Sequence, residues 1–453
     1  MAVKDKKRGK SKKEKQEKGK VGVTGEDSEG GITASYAVDD GVKLKVRYSF
    51  FGSIYDDDEK NAAWKAMQQD SLTMGPQVAA FQEEYAKKFG VKHALAVSNC
   101  TTGMHLCTQL FQLKEGDEVI ITPNTFIATT LVLLKEKVKP VYADIDRRTF
   151  NIDPADIARK VTPKTKAIYV VHYGGQMCDM DPIMEIAKKH GLYVLEDCAH
   201  AHGAYYKGRP AGSIGDVGVF SFHSLKNMTT CGEGGMITTN REEWVKPIEQ
   251  LRCMNLTHYD PNQRDFAFGD IKLHKVVDGK YSDYWVPAHF DVSDVNGHWG
   301  NNYRMNEVQA AVGRAQLKKL DMMVAKRQQN ARYINDGIKG IKGVNGVYED
   351  PNCVHAYHLY TLLVDPKVYD RDEFLRTLYR EHGVQGIQHY QPTYHFTGIK
   401  KLGITGCCPV AEEFFYKRET NLPMHPRLTQ QELDWTVEGI RKTAEKLASR
   451  RGK

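Results

Sequence analysis

Four short stretches carry residue types that could act together on one substrate. The first is FSFHSLKNMTTCGEGG, in which Lys226 stands between an apolar run and a glycine cluster. A lysine drawn into low dielectric loses its proton more readily and becomes a nucleophile toward a carbonyl. The second is YVLEDCA, where Asp197 ends a β-like run. At the carboxyl end of a parallel strand it could accept a proton from a ring nitrogen, or simply cap the following helix. The third is SNCTTGMH, where Thr101, Thr102 and Gly103 open a helix and offer an anion hydroxyls and free N–H groups. The fourth is TPNTFIAT, whose Phe126 could stack on a planar ring; for a phenylalanine taken alone, the core is the expected place. Ser221, Thr229 and Thr230 add hydroxyls near Lys226. A Schiff-base lysine, an acid for a ring nitrogen, an aromatic face and a phosphate cradle are together what pyridoxal phosphate requires.

These residues must be held by elements that the hydrophobic period makes visible. HALAVSN, DEVIITP, KPVYADID, KAIYVVHYG, YVLEDCA and VGVFSFH read as strands. TTGMHLCTQLFQL, NTFIATTLVLLKE and PIMEIAKKHG read as intervening helices, which predicts a mainly parallel sheet covered on both faces. Upstream, AAWKAMQQD and VAAFQEEYAKKFG are helical, with Gly90 as a stop. After GGMITTN the pattern changes. REEWVKPIEQLRCMN is helical, residues 257–300 are a long polar and aromatic-rich stretch, and NEVQAAVGRAQLKKLD opens one long helix. HLYTLLVD, RDEFLRTLYREHG and QQELDWTVEGIRKTAEKL then give a strand and two helices. The expected organisation is a disordered Lys-rich tail over 1–35, a large domain over 45–300, and the long helix with a small C-terminal domain over 301–450.

The chain has 453 residues and a formal charge of +7, of which residues 1–20 supply all seven with nine Lys and one Arg against three acids. The rest holds 54 basic and 54 acidic residues and is neutral, which argues against a nucleic-acid-binding body. No apolar run reaches the ~20 residues of a membrane span, and the basic N-terminus lacks the apolar core of a secretory signal. Nine scattered cysteines without CxxC spacing fit reduced thiols, so a cytoplasmic location is expected. His172, His223, His358, His389, His395 and His425 show no metal-binding spacing, and all are expected to be satisfied core or rim histidines; no metal is expected.

The ordered series SNCTTGMH, TPNTFIAT, VHYGGQMCDMD, EDCAHAHGA, GSIGDVGVFSFHSLKN, GEGGMITTN, NNYRMNEVQAAVGRAQLKKLD and NLPMHP resembles the nucleotide-sugar aminotransferases of the DegT/StrS type across residues 45–448. The resemblance implies the aspartate-aminotransferase-like fold type I, with a mainly parallel seven-stranded sheet and a smaller C-terminal α+β domain. It implies that pyridoxal 5'-phosphate is bound as a Schiff base by Lys226, that Asp197 pairs its ring nitrogen, and that Phe126 stacks on its face. His200 takes the place that contacts the cofactor hydroxyl, where Gln is commoner. Cys100, Thr101 and Ser221 match phosphate-binding positions, and Asn302 matches a residue that reaches the neighbouring subunit's phosphate, implying a homodimer with shared sites. The activity implied is amino transfer from glutamate or glutamine to a nucleotide-linked keto-sugar. Related sugar dehydratases carry His in place of the lysine, so Lys226 favours transamination. Two departures from the family pattern, Cys100 where Gly is frequent and the long 257–300 stretch, leave the substrate open. Keto-inositols are an alternative acceptor, and a non-catalytic scaffold is disfavoured by the retention of Lys226 and Asp197.

Overall fold

The computed structural model describes residues 41–255 and 292–451, together with the backbone of four short strands, Val23–Glu26, Ile32–Ala34, Val276–Val277 and Lys280–Tyr281. Most of the tail expected to be disordered over 1–35, apart from the strands Val23–Glu26 and Ile32–Ala34, and most of the 257–300 stretch therefore lie outside the described residues. Val23–Glu26 pairs antiparallel with Ile32–Ala34 in an N-terminal unit that ends at Lys43. A second unit runs from Leu44 to Lys453.

Its centre is a seven-stranded sheet of β1 (His93–Val97), β2 (Glu118–Ile121), β3 (Lys139–Tyr142), β4 (Thr165–Val171), β5 (Tyr193–Asp197), β6 (Val217–Ser221) and β7 (Gly235–Thr239), ordered β1-β7-β6-β5-β4-β2-β3. From β6 to β3 every neighbouring pair is parallel, whereas β7 runs antiparallel to both β6 and β1. The strands are apolar on both faces because both are covered. Along β6, Phe220 packs with Phe81, Tyr85 and Phe89 on one side, while Val219 and Val217 pack with Leu106, Phe111 and Trp244 on the other. The period-2 alternation of a strand thus feeds two separate cores.

The covering helices show ordinary local causes. Helix α1 (Pro76–Phe89) starts with Pro at its first turn and stops at Gly90, whose φ of 60° is left-handed. Helix α2 (Cys100–Leu110) is capped by Asn99, whose side chain accepts from Thr102 N while the Thr102 hydroxyl accepts from Asn99 N. Helix α3 (Ala128–Lys135) begins four residues later than the expected Asn124. The long helix α4 (Glu307–Ile338) is capped by Asn306, and its buried Glu307 carboxylate accepts from the N–H groups of Gly75, Gln77 and Val78. One carboxylate thereby caps the start of α1 from more than two hundred residues away.

Beyond α4, strands β8 (Val344–Gly346), β9 (Tyr360–Val364) and β10 (Glu419–Leu422) form an antiparallel sheet ordered β8-β9-β10. Helices α5 (Arg371–His382) and α6 (Gln430–Arg451) accompany it, and Ile334, Leu362, Phe374, Leu378 and Ile440 share a third core. Asn255 closes the base of the segment between residues 255 and 293. Its Nδ2 donates to the carbonyls of Ser293 (2.8 Å) and His298 (2.9 Å), and its Oδ1 accepts from Gly300 N. Among the described residues no helix is long and apolar enough to cross a membrane.

Candidate active site

The carboxyl ends of β5 and β6 meet the start of α2, and Cys100, Asp197, Ser221 and Lys226 come together there. Asp197 is 5% exposed. Its Oδ2 accepts from the Thr129 hydroxyl at 3.1 Å, and its Oδ1 accepts from Ala199 N at 3.1 Å. No helix follows Asp197, so the capping reading fails: Oδ1 instead organises the turn after β5, and among the described residues neither oxygen is neutralised by a salt bridge. Burial raises its pKa, opposed by the Ala199 N–H, Lys226 and Thr129.

Lys226 lies in the loop between β6 and β7, and that loop is tied down along its length. Phe222 N donates to Gly234 O, Ser224 N to Gly232 O, and Lys226 N to His223 O. Gly52 passes so close that a Cβ there would lie 2.0 Å from the Leu225 carbonyl. The hydroxyls of Thr229 and Thr230, expected to serve a ligand, are instead spent on the carbonyls of Phe222 (2.7 Å) and Glu233 (2.6 Å). Both threonines are fully buried. They shape the lysine loop and offer nothing to a phosphate. The Lys226 ammonium itself makes no hydrogen bond or ion pair among the described residues. Burial pulls its pKa down to about 8, against the opposing pull of Asp197 and Cys100. A free amine is therefore available near neutral pH beside a buried carboxylate.

At the N-terminus of α2, the N–H groups of Cys100 and Thr101 have no acceptor among the described residues. Thr102 is committed to the capping box, so its hydroxyl is structural. The Cys100 thiol turns inward, 3.9 Å from Asp197 Oδ1 and 3.7 Å from the Val219 carbonyl, leaving only its backbone for an anion. Gly235 allows this closeness, because a Cβ there would lie 2.8 Å from Cys100 N. Ser221 ends β6, buried, with its Oγ accepting from His223 N at 3.3 Å.

Phe126 is 60% exposed, which removes the core reading and leaves an open ring 6.2 Å from that of Tyr390. His200 Nδ1 accepts from Gly174 N at 3.3 Å, so the proton sits on Nε2, 3.2 Å from the Tyr390 hydroxyl. Burial, aided by Lys226, drives its pKa well below the ordinary histidine value, and the ring is neutral. Asn302 stands apart from this group. It is exposed, accepting from Arg304 Nε at 3.1 Å.

His172, Glu196 and Cys198 form the one cluster among the described residues with metal-like spacing, their ligand atoms lying within 4.8 Å. Its hydrogen bonds are already complete. Glu196 accepts from His172 Nε2 (3.0 Å) and from the N–H groups of Gly212 (3.0 Å), Ile214 (2.8 Å) and Gly215 (2.6 Å). His172 Nδ1 accepts from Cys178 N. Burial would raise the Glu196 carboxyl, but His172 and these amides outweigh it and hold it low. The cluster braces the turn that leads into β6. Glu196→Gln is expected to cost roughly 3–5 kcal/mol of stability, as for breaking a buried charged network, whereas a chelator should leave the melting temperature of the unaltered protein unchanged. Thermal melts with and without chelator test both statements.

The model of the DegT/DnrJ/EryC1/StrS aminotransferase family matches residues 53–441. The chain belongs to this family. It is similar to the spore coat polysaccharide biosynthesis protein SpsC of Bacillus subtilis, at 36% identity over 82% of this chain and 90% of that protein. It is similar to the GDP-perosamine synthase of Caulobacter vibrioides at 34% identity, over 81% and 90% respectively. The solved structure of Helicobacter pylori PseC, an aminotransferase involved in the biosynthesis of pseudoaminic acid, superposes with a TM-score of 0.77 at 27% identity, covering 88% of this chain and 99% of that one. The seven-stranded sheet is that of the fold-type I aminotransferases, and the protein is a sugar aminotransferase.

Several residues of this sugar aminotransferase were not singled out from its sequence. Thr129, Tyr173 and Tyr390 come from three distant segments. Tyr173 donates to the His389 carbonyl at 2.7 Å, and the Asn124 side chain accepts from Tyr390 N at 3.3 Å, fixing the turn that carries Tyr390. Only the aromatic and polar character of QHYQPTYH hints at this.

Proposed function

We propose that this sugar aminotransferase moves an amino group from glutamate or glutamine to the keto group of a nucleotide-linked deoxysugar, using pyridoxal 5'-phosphate. The observation that carries the reading is the unpartnered Lys226 amine, lowered to about 8, beside buried Asp197. The residues fit the cofactor. The Cys100 and Thr101 N–H groups at the α2 N-terminus, with Ser221, suit its phosphate. Phe126 offers an exposed face, Asp197 a buried carboxylate for the ring nitrogen, and His200 a fixed N–H for the ring hydroxyl. When bound, the cofactor withdraws electrons from the substrate carbon that carries the amino group. Lys226 moves the proton at that carbon, which needs an amine that titrates near working pH. Asp197 holds the proton on the ring nitrogen, and Phe126 fixes the plane. A histidine at position 226 would leave no amine for the covalent link, so the lysine supports transamination over dehydration.

The similarity to a GDP-perosamine synthase supports a sugar acceptor carried on a nucleotide. A homodimer with Asn302 reaching the partner's phosphate agrees with the exposed position of Asn302. A cytoplasmic enzyme agrees with its free cysteines. The test is a panel of nucleotide-linked keto-hexoses and keto-inositols, each offered with glutamate and glutamine and scored by mass spectrometry of the aminated product. Amination of a nucleotide-linked hexose is expected; amination of keto-inositols alone would replace the acceptor.

A further inference from the structure

Lys226 also borders a small cavity whose wall includes Tyr48, His358, His389, Tyr390 and His425. These residues come from four separated segments: the stretch near residue 48, the turn before β9, the turn after α5, and the connection from β10 to α6. The three histidines were expected to be satisfied, and they are not. None of their side chains makes a hydrogen bond among the described residues, and Nδ1 of each is buried without a partner. His358 and His425 are only 7% and 8% exposed. A buried polar group without a partner costs about 1–3 kcal/mol, and packing alone gives no reason to gather three of them around one cavity beside the reactive amine. A ligand entering this cavity would complete them.

The chemistry of the rings states what kind of ligand. No carboxylate pairs with any of the three among the described residues. Burial lowers all of them, His389 to about 4 and His425 to about 3, with Lys226 adding to the effect at His389 and Arg427 at His425. Each neutral ring then presents one N–H and one lone pair. That pairing matches hydroxyl groups, which both donate and accept. It does not match a carboxylate or phosphate, which needs donors and positive charge. Of the neighbouring arginines, Arg327 is already engaged and Arg427 is engaged through Nη2. Arg327 donates through Nη1 to the Tyr357 and Met424 carbonyls and through Nη2 to Gly52, leaving only a buried Nε. Arg427 donates to the Ser49 hydroxyl and the Phe51 carbonyl.

We propose that Tyr48, His358, His389 and His425 form the subsite that reads the hydroxyl pattern of the sugar ring, and that the donor's carboxylate is held elsewhere. This rests on the sugar reading above and adds which residues select the sugar.

The experiment separates the two half-reactions on holoenzyme, each followed by the change in cofactor absorption. The donor half uses glutamate, and the sugar half uses nucleotide-linked aminodeoxyhexoses, GDP-perosamine among them. In His389→Phe and His425→Leu, the half-saturating amino-sugar concentration is expected to rise about tenfold, the equivalent of one lost hydrogen bond, while the glutamate half stays within about twofold. His389→Gln and His425→Asn, which keep one donor and one acceptor, should recover most of the loss and serve as the folded controls. Equal losses in both halves, or a loss confined to glutamate, would overturn the proposal. If the unaltered enzyme accepts glutamate but no amino-sugar, the nucleotide-sugar reading itself fails and this subsite falls with it.

Discussion

Replacing Lys226 with alanine is expected to reduce turnover by at least the roughly 10²–10⁴-fold that a positioned proton carrier supplies, and to abolish the visible absorption of lysine-bound cofactor. Steady-state rates and an absorption scan of the purified variant check this together; a variant that kept both band and rate would remove Lys226 from the chemistry. The same position predicts an opposite effect on stability. Burial lowers the amine from 10.5 to about 8 although Asp197 and Cys100 pull it upward. Below about pH 8 the ammonium is charged in both folded and unfolded chains, and the folded chain bears the whole penalty of burying it. Between about 8 and 10.5 the folded chain releases its proton first and the penalty fades; above that range neither state is charged. The shift corresponds to at most ~3 kcal/mol, less for an amine that keeps some contact with solvent. Cofactor-free Lys226→Met is therefore expected to melt above the cofactor-free parent at pH 7, with the gap closing toward pH 10.5. A lower melting temperature at pH 7 would mean that the ammonium has a favourable partner.

Asp197→Asn carries the second large effect. The side chain would keep its size and its place at the end of β5 but lose the negative charge that holds a proton on the cofactor ring. Activity is expected to fall roughly 10²–10³-fold, the scale of removing one preorganised electrostatic group from a dry site, and the cofactor should be lost faster on dialysis. Thr129→Val, which removes one hydrogen bond to the same carboxylate, should weaken retention less. Comparable rates and retention in Asp197→Asn and the parent would reduce Asp197 to the turn-capping role shown by its bond to Ala199.

Strands β1 to β6 could be read from the sequence because all but the edge strand β3 bury both faces, and most are separated from the next by an amphipathic helix. Strand β7 was not anticipated. Gly235 at its start and two threonines at its end dilute the apolar signal, and only its place between β6 and β1, where every residue is buried, makes it a strand. At the site, Lys226, Asp197 and Phe126 were legible because each sits at a strand end or loop with a distinctive composition. What the hydroxyls of Thr229 and Thr230 do was not, since a hydroxyl's partner is set by a loop geometry that spacing does not encode. The histidine wall was hidden for a related reason. Whether an imidazole is satisfied depends on residues more than a hundred positions apart, and no local pattern announces that it is unpaired.

The bonds made by Asn255 have a bearing on how this enzyme could be re-engineered. The chain leaves after residue 255 and is gathered again at Ser293, His298 and Gly300 by one side chain, so both ends of the intervening stretch share a single anchor. Lengthening or shortening such a span changes closure entropy by only about 0.6 kcal/mol per doubling. A stretch of another length can be joined at the same ends with Asn255 kept.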